Sequence, residues 1–346
     1  MPLKNICRAV AAVLLAGFVA GALPALAGQQ DPAAVRERLN RVGSDLFSPT
    51  PHPAEAVREL KAILAVAPDS PEAHMLLGIA YRAQNEPDLM GEAVAELRQA
   101  LALNPELTQA RLILARIYLD LARVSRAREE LQTALERLPN EPQLLTLLAE
   151  AERQLGNPKR SVDLARQVLS AQPAFAQARY YLALALLDLG DPTGAAQELE
   201  RVVAAGANPA EANLSLGMAY LETRRFDDAV KVLREATRVN PSRPEGHLQL
   251  ARAYRLKGLL NDAARELKLA APGTSGTLAA LYQNVEVDYY LEEGLLRLAQ
   301  GRLEGAVQAL EKVLALDARH AVAERSLAEA RKRLRDRTKK APGSPK

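Results

Sequence analysis

A pattern of small and apolar residues recurs along most of this chain, and it limits the possible folds more than any other feature. Ala115, Ala149, Ala183, Gly217 and Ala251 each follow a leucine and stand 34 residues apart, and Gly78 and Gly294 extend the series with spacings of 37 and 43. In most units another small residue follows twelve positions later, and a leucine four positions after that. Successive spacings of 34 are hard to obtain by chance, so one structural unit is predicted to repeat.

Each unit holds two apolar stripes at helical spacing, separated by a turn that often contains glycine. Two helices joined in this way pack closely only where the facing side chains are small, which explains the glycine and alanine positions. Prolines such as Pro105 and Pro139 end the second helix, because proline lacks the N–H of a helical residue. Ser70-Pro71 begins the next helix with a capping residue and a first-turn proline. One helix pair cannot bury both of its faces, so the units are predicted to stack.

This pattern resembles the tetratricopeptide repeat, whose helix-turn-helix period of 34 residues it matches over roughly residues 71–318 as seven units. A degenerate eighth unit precedes them, where Ala56, Leu60, Ile63 and Pro68 keep the second-helix pattern. The resemblance implies an all-α fold, a right-handed α-solenoid of seven to eight such units with a C-terminal capping helix. The chain departs from the family at the tryptophan position of the first helix, which is occupied by His74, Arg111, Leu145, Arg179, Asn213, His247 and Tyr290.

These signals predict an order of segments along the chain. They are a signal peptide at 1–27, an N-terminal segment with the degenerate repeat at 28–70, six repeats at 71–275, a seventh repeat with a long helix at 276–318, a capping helix at 319–337 and a basic disordered tail at 338–346. The long helix is expected from Thr277 to about Gln300 and carries Tyr282, Tyr289 and Tyr290. These tyrosines are predicted either to pack against the preceding helix or to form a partner-binding projection.

The first 27 residues have the pattern of a secretory signal peptide. Lys4 and Arg8 form a positive start, residues 9–27 are uncharged, and Ala25-Leu26-Ala27 is an A-x-A cleavage site. We therefore expect cleavage after Ala27 and a mature chain that is periplasmic or secreted. A retained membrane anchor is the alternative, because the 19 residues of the uncharged stretch nearly reach the roughly 20 that span a bilayer.

The sequence contains no recognisable catalytic or metal-binding constellation. No two of the four histidines have metal-ligand spacing, and the hydrolase and nucleotide-binding motifs are absent. His74 and His247 stand at equivalent repeat positions, which favours a packing role. The single cysteine, Cys7, would be removed with the signal peptide. We predict a protein that is not an enzyme and has no catalytic residues, cofactor or metal site.

In the tetratricopeptide family the first helices line a concave groove that contacts ligands. Carried over by position, the groove would have an apolar centre flanked by arginines, with acidic or amide residues such as Gln109 and Gln143 along one edge. Its members are Tyr180, Leu184, Leu187, Leu214, Met218 and Leu221 in the centre and Arg116, Arg153, Arg252 and Arg255 beside it. Such a surface suits an amphipathic helix or an extended segment with acidic flanks. Alternatively, some of these residues seal the contact between neighbouring first helices.

The resemblance implies a non-catalytic interaction scaffold in the bacterial periplasm, whose partner is a protein or peptide segment. Envelope assembly, secretion, pilus formation and exopolysaccharide export are the processes in which resembling proteins act. The net charge of +3 is too small to predict nucleic-acid binding by the whole chain. Residues 319–346 nevertheless contain ten Lys/Arg and three Asp/Glu. The alternative function is therefore a tethering module, in which this basic end binds anionic lipid, polysaccharide or nucleic acid.

Overall fold

The computed structural model describes residues 32–207, 209–271 and 283–340, and these residues form helices and connecting turns without a strand. The predicted signal peptide lies outside the described residues. Among these residues, no helix combines the length and the apolar character required to cross a bilayer. Contacts group the repeats into two larger parts of the chain. We call these parts the first unit, which ends at Tyr181, and the second unit, which begins at Leu182. The seventeen described helices are α1 (Pro32–Leu46), α2 (Pro53–Val66), α3 (Pro71–Ala83), α4 (Leu89–Leu103), α5 (Thr108–Asp120), α6 (Val124–Arg137), α7 (Pro142–Gln154), α8 (Pro158–Ala171), α9 (Ala176–Asp188), α10 (Pro192–Ala204), α11 (Pro209–Glu222), α12 (Phe226–Val239), α13 (Pro244–Leu256), α14 (Leu260–Leu269), α15 (Gln283–Ala299), α16 (Leu303–Leu316) and α17 (Ala321–Lys340).

The repeats form helix pairs joined by short turns, as the sequence predicts. In the first unit α3 packs on α4, α5 on α6 and α7 on α8, and in the second unit α11 packs on α12, α13 on α14 and α15 on α16. The second helix of a pair also packs on the first helix of the next, for example α4 on α5 and α12 on α13. Stacking in sequence order makes this an all-α repeat fold of the solenoid class.

The degenerate repeat at the N-terminal end forms a complete helix pair, α1 and α2. The predicted second helix α2 buries Leu60 and Ile63 fully. Its partner α1 has no counterpart among the positions that define the repeat in the sequence. It buries four apolar residues at helical spacing (Val35, Leu39, Val42 and Leu46). Ser70 then caps α3 as expected, since its hydroxyl accepts a hydrogen bond from the backbone N–H of Ala73 at 3.2 Å.

The glycines of the repeat lie where the two helices of a pair cross. A Cβ built on Gly217 of α11 would lie 2.4 Å from Cγ of Leu233 on α12. Gly78 and Gly294 have the same relation to Leu97 and Leu310, each at 2.7 Å. The small residue therefore makes room for the fully buried leucine of its own second helix.

The turn inside each repeat contains one residue with a left-handed backbone, seven positions after the small crossing residue. Four of these residues are glycine, which adopts this conformation at little cost. Ala122 and Arg224 carry a Cβ at the same position, where a left-handed backbone costs about 1–2 kcal/mol. The seven residues are Asn85, Ala122, Gly156, Gly190, Arg224, Gly258 and Gly301, with φ between 55° and 81°.

The end of the capping helix differs from the predicted pattern. The capping helix α17 runs to Lys340, so the first three residues of the predicted disordered tail are helical. Lysine and arginine favour helix, and the next proline comes at Pro342, which explains the extension. Tyr282 and residues 272–281 lie outside the described residues, which leaves the beginning of the predicted long helix undescribed. The described part, α15, has 17 residues, whereas α13 has 13.

Candidate partner-binding face

In the first unit, Arg116 of the predicted groove forms a buried ion pair between two first helices. Its Nη1 atom donates to Oε2 of Glu150 on α7 at 2.8 Å, and the residue is 5% exposed. Burial lowers the pKa of Arg116, but Glu150 and Tyr181 raise it more, so the guanidinium pKa lies above its usual value. Burial also raises the pKa of Tyr181, and Glu150 adds to the effect. Arg116 therefore holds α5 to α7 and is not accessible to a partner.

In the second unit, Arg255 of the predicted groove is engaged in the same way. Its Nε and Nη2 atoms donate to both carboxylate oxygens of Glu292 on α15, at 2.7 and 2.9 Å, and Glu292 is buried. Arg252 donates to Glu222 at 3.2 Å, and its side chain is 39% exposed. Burial raises the pKa of Asp288 nearby, while Arg252 opposes the shift. The arginines of α13 thus serve mainly to join first helices.

The apolar members of the predicted groove divide into buried and accessible residues. Leu214 and Leu221 of α11 are buried, at 9% and 4% exposure, so their side chains belong to the packing of the second unit. Met218 on the same helix is 40% exposed. Leu184 and Leu187 of α9 are half-buried. We name Leu184, Leu187 and Met218, all in the second unit, the Met218 face.

The two remaining groove residues belong to the first unit. Tyr180 is half-buried and its ring lies 5.5 Å from that of Tyr181 in an edge-to-face arrangement. Arg153 is also half-buried. Of the predicted groove residues, Arg116, Leu214 and Leu221 are buried, which agrees for these three with the alternative that some members seal contacts between helices.

The position that carries tryptophan in the family is used for a hydrogen-bonded bridge, which the sequence did not reveal. His247 contacts Oε2 of Glu266 on α14 through Nδ1 at 2.7 Å, and the carbonyl oxygen of Pro241 through Nε2 at 3.0 Å. Each bridge ties a first helix to its own second helix and to the preceding loop. His74 makes the same bridge to Glu96 and Pro68, and Arg111 to Glu130 and Pro105. The sequence contains one signal for these bridges, a glutamate on the second helix. It follows Arg111 and His247 by 19 residues and His74 by 22 residues.

Two tyrosines of first helices, Tyr220 and Tyr254, contact polar side chains of the preceding helix. Tyr220 donates its hydroxyl hydrogen to Glu200 of α10 at 2.7 Å, and the guanidinium of Arg225 lies 4.1 Å from its ring centre. Burial raises the pKa of Tyr220 to about 12, and Glu200 contributes. Tyr254 accepts a hydrogen bond from Arg234 of α12 at 2.7 Å. These contacts hold α11 and α13 to the helices before them.

The described aromatic residues of α15 belong to a packed region of the second unit. Tyr290 packs against a cluster that includes Leu310, Val313 and Leu327, and Lys312 lies 4.5 Å from its ring centre. The ring of Tyr289 lies 5.4 Å from that of Tyr290. Within residues 32–207, 209–271 and 283–340, no three His, Cys, Asp or Glu residues form a group that could hold a metal ion.

Comparison with known proteins follows the same repeat. Family models described as tetratricopeptide repeat match residues 52–89, 90–151, 146–211, 214–276 and 287–320. No curated protein matches the sequence. Solved structures with a similar fold include the APC/C hetero-tetramer Cut9-Hcn1, with 15% identity and a TM-score of 0.61 over 87% of this chain and 56% of that one.

The solved structures of two further proteins, PilF and PilW, are also similar in fold. PilF of Pseudomonas aeruginosa shares 18% identity, with a TM-score of 0.52 over 64% of this chain and 97% of that one. PilW, described as a widely conserved type IV pilus biogenesis factor, shares 20% identity, with a TM-score of 0.53 over 64% of this chain and 98% of that one. At these identities the likeness shows the fold alone.

Proposed function

Because this chain belongs to the tetratricopeptide repeat family, whose helix pairs form protein-interaction scaffolds, we propose that it is a non-catalytic scaffold of the bacterial periplasm. Its partner is a protein or peptide segment that binds on the Met218 face. The observation that carries this proposal is the 40% exposure of Met218 on a first helix whose three leucines, Leu214, Leu216 and Leu221, are buried.

The proposed partner segment is amphipathic and covers the Met218 face with its apolar side. Burying an exposed leucine or methionine side chain contributes about 1.5–3 kcal/mol. Leu184 and Leu187 of α9 are also partly exposed and add apolar area for a partner to cover. The sequence analysis expected acidic flanks in the partner segment, which would pair with groove arginines. Arg116 and Arg255 are already paired with Glu150 and Glu292, so they do not favour such flanks. Apolar contact is therefore the main source of affinity in this proposal.

The periplasmic location rests on the predicted signal peptide and its cleavage site after Ala27. Together with a scaffold fold, this supports a role in envelope assembly, secretion, pilus formation or exopolysaccharide export. Cleavage is tested by N-terminal sequencing of the chain recovered from the periplasmic fraction, which should begin at Gly28. A chain that keeps residues 1–27 and sediments with membranes would instead indicate a retained anchor.

Partner binding is tested by site-specific photo-crosslinking in the periplasm. A benzophenone amino acid at Met218 should crosslink to a defined partner, which mass spectrometry identifies. Leu316 provides the matched control, because it is 51% exposed but lies on a second helix, α16. Crosslinks of the same protein at both positions, or at neither, would contradict the assignment of the Met218 face.

A loss-of-function variant completes the test. Met218→Glu combined with Leu184→Glu should abolish the crosslinked partner in pull-downs, while helical circular dichroism stays unchanged. Leu316→Glu should retain the partner. Retention of the partner by the double variant would remove the proposed face, and a pilus component among the captured proteins would specify the process.

The C-terminal helix supports the alternative function as a tethering module. Lys332 and Arg335 of α17 are exposed, and no carboxylate of the described residues pairs with them. If α17 tethers the protein, binding to vesicles that contain an anionic lipid should fall steeply at about 0.5 M salt, where exposed charges are heavily screened. Equal binding to neutral and anionic vesicles would exclude a lipid tether.

A further inference from the structure

A cleft opens to solvent between the amino-terminal parts of α5 and α7, in the first unit, and encloses a volume of about 70 Å³. Its walls are apolar and its rim is polar. The apolar wall residues Leu112, Ile113 and Leu144 are buried, whereas Leu138 in the connection before α7 is 44% exposed. The remaining lining residues are polar, and we call them the rim; they are Thr108, Gln109, Glu141 and Gln143.

Within the part of the chain that the structure describes, the carboxylate of Glu141 has no counter-ion. Glu141 is the N-cap residue of α7, but its side chain makes no capping hydrogen bond. No cation of the described residues pairs with it, although the nearby Glu106 and Glu130 are paired with Arg137 and Arg111 at 2.7 and 2.8 Å. An apolar cleft therefore ends in one unpaired negative charge.

We propose that this cleft binds a single arginine or lysine side chain of a partner protein. The methylene stem lies against Leu112, Ile113 and Leu138, and the cationic head reaches the carboxylate of Glu141. A long basic side chain has an apolar stem and a charged end, so it matches both parts of the cleft. A purely apolar side chain leaves Glu141 without a counter-ion, and an acidic side chain is repelled by it.

Two amides on the rim can hold the backbone next to this side chain. Gln109 and Gln143 occupy equivalent positions of successive repeats, 34 residues apart, on either side of the cleft. A glutamine amide both donates and accepts hydrogen bonds, as a peptide group does. The site is therefore complete for a basic residue within an extended segment. All eight lining residues belong to the first unit, so the site does not depend on binding at the Met218 face.

The test uses three small probes and methyl-selective NMR of the mature chain. The probes are the N-acetyl, N-methylamide derivatives of arginine, norleucine and glutamate. Each probe's affinity is obtained from the saturation of the methyl shifts of Ile113 and Leu138. The arginine probe should bind with about fivefold higher affinity than the norleucine probe, which is the difference that a partly exposed ion pair contributes. The glutamate probe should give no saturable shift at these methyl groups.

Two variants connect the preference to the carboxylate. Glu141→Gln should reduce arginine affinity to that of norleucine and leave the norleucine affinity unchanged. Glu106→Gln removes a carboxylate that lies outside the cleft, so it should keep the fivefold preference. Equal affinities for arginine and norleucine in the unmodified chain, or a preference that survives Glu141→Gln, would overturn the proposal. Crosslinking at Met218 reports on the proposed function separately, because that residue lies in the second unit.

Discussion

The close approach of Gly217 and Leu233 allows the helix crossing of one repeat to be tested by a double-mutant cycle. In Gly217→Ala the new Cβ would lie 2.4 Å from Cγ and 2.5 Å from Cδ2 of Leu233. Overpacking of a buried contact costs about 1–3 kcal/mol. Replacing a helical glycine by alanine returns about 1 kcal/mol. We therefore expect the free energy of unfolding to fall by about 0–2 kcal/mol in this variant.

The second variant of the cycle shows whether Leu233 is the side chain that is displaced. Leu233 is fully buried, so Leu233→Ala alone should cost about 2–5 kcal/mol. The double variant relieves the clash and should be more stable than the sum of the single changes, by about 1–3 kcal/mol. The chain already contains this combination in another repeat, where Ala149 and Ala165 occupy the equivalent positions and are both fully buried.

Urea unfolding monitored by far-ultraviolet circular dichroism measures these free energies, provided that the slope of the transition is the same in all variants. Gly91→Ala on α4 is the matched control, because its added Cβ would have no atom within 4 Å. This control should gain up to about 1 kcal/mol from helix propensity. If the two changes at the crossing are additive to within about 0.5 kcal/mol, the contact described between Gly217 and Leu233 is wrong.

Three further predictions concern a turn and two hydrogen-bonded pairs. Ala122→Gly should raise the free energy of unfolding by about 0.5–1 kcal/mol, because glycine relieves a left-handed backbone and loses only part of this gain to unfolded-chain entropy; a lower melting temperature would contradict this. His247→Leu should cost about 1–3 kcal/mol by leaving the carboxylate of Glu266 without its partner, whereas His247→Arg should preserve the bridge; equal losses in thermal melts would refute the reasoning. The pKa of Asp45 is lowered, chiefly by its hydrogen bond with His52, and that of His52 is raised by the same bond, so the pair stabilises the fold above the ordinary Asp value of 3.8 and below the ordinary His value of 6.5. His52→Gln should therefore lower the melting temperature at about pH 5 and have no effect at about pH 9, where both folded and unfolded chains carry a neutral His52; an equal effect at both values would exclude this pair.

Much of the fold could be predicted because the repeat imposes the same requirements many times. The small residues, such as Gly217, mark helix crossings, and the glycines, such as Gly156, mark left-handed turns. The helix α1 was less visible, since its repeat is degenerate and no second copy in register supports the alignment. The helix α17 extends three residues into the predicted tail, because arginine and lysine are good helix formers and no proline intervenes before Pro342.

The candidate site was less predictable, because position in a repeat does not determine whether a side chain is free. Arg116 and Arg252 occupy equivalent positions, yet Arg116 is 5% exposed and buried against Glu150, while the side chain of Arg252 remains 39% exposed. Arg116 donates to Glu150 of the next repeat, whereas Arg252 donates to Glu222 of the preceding repeat. The cleft beside Glu141 involves residues from two repeats and the loop between them, so no single repeat contains its pattern.

The ion pairs between first helices also determine how the first unit opens. The side chains of Arg116 and Glu150 are only 7% and 12% exposed, so separating α5 from α7 would leave a charge without its partner in a region of low polarity, which is costly. Arg82 and Asp120 join α3 to α5, but the Asp120 side chain is 48% exposed and dissolved ions screen this link. In high salt, amide hydrogen exchange should therefore accelerate in α3 before α5, while the amides of α5 and α7 continue to exchange in one concerted event.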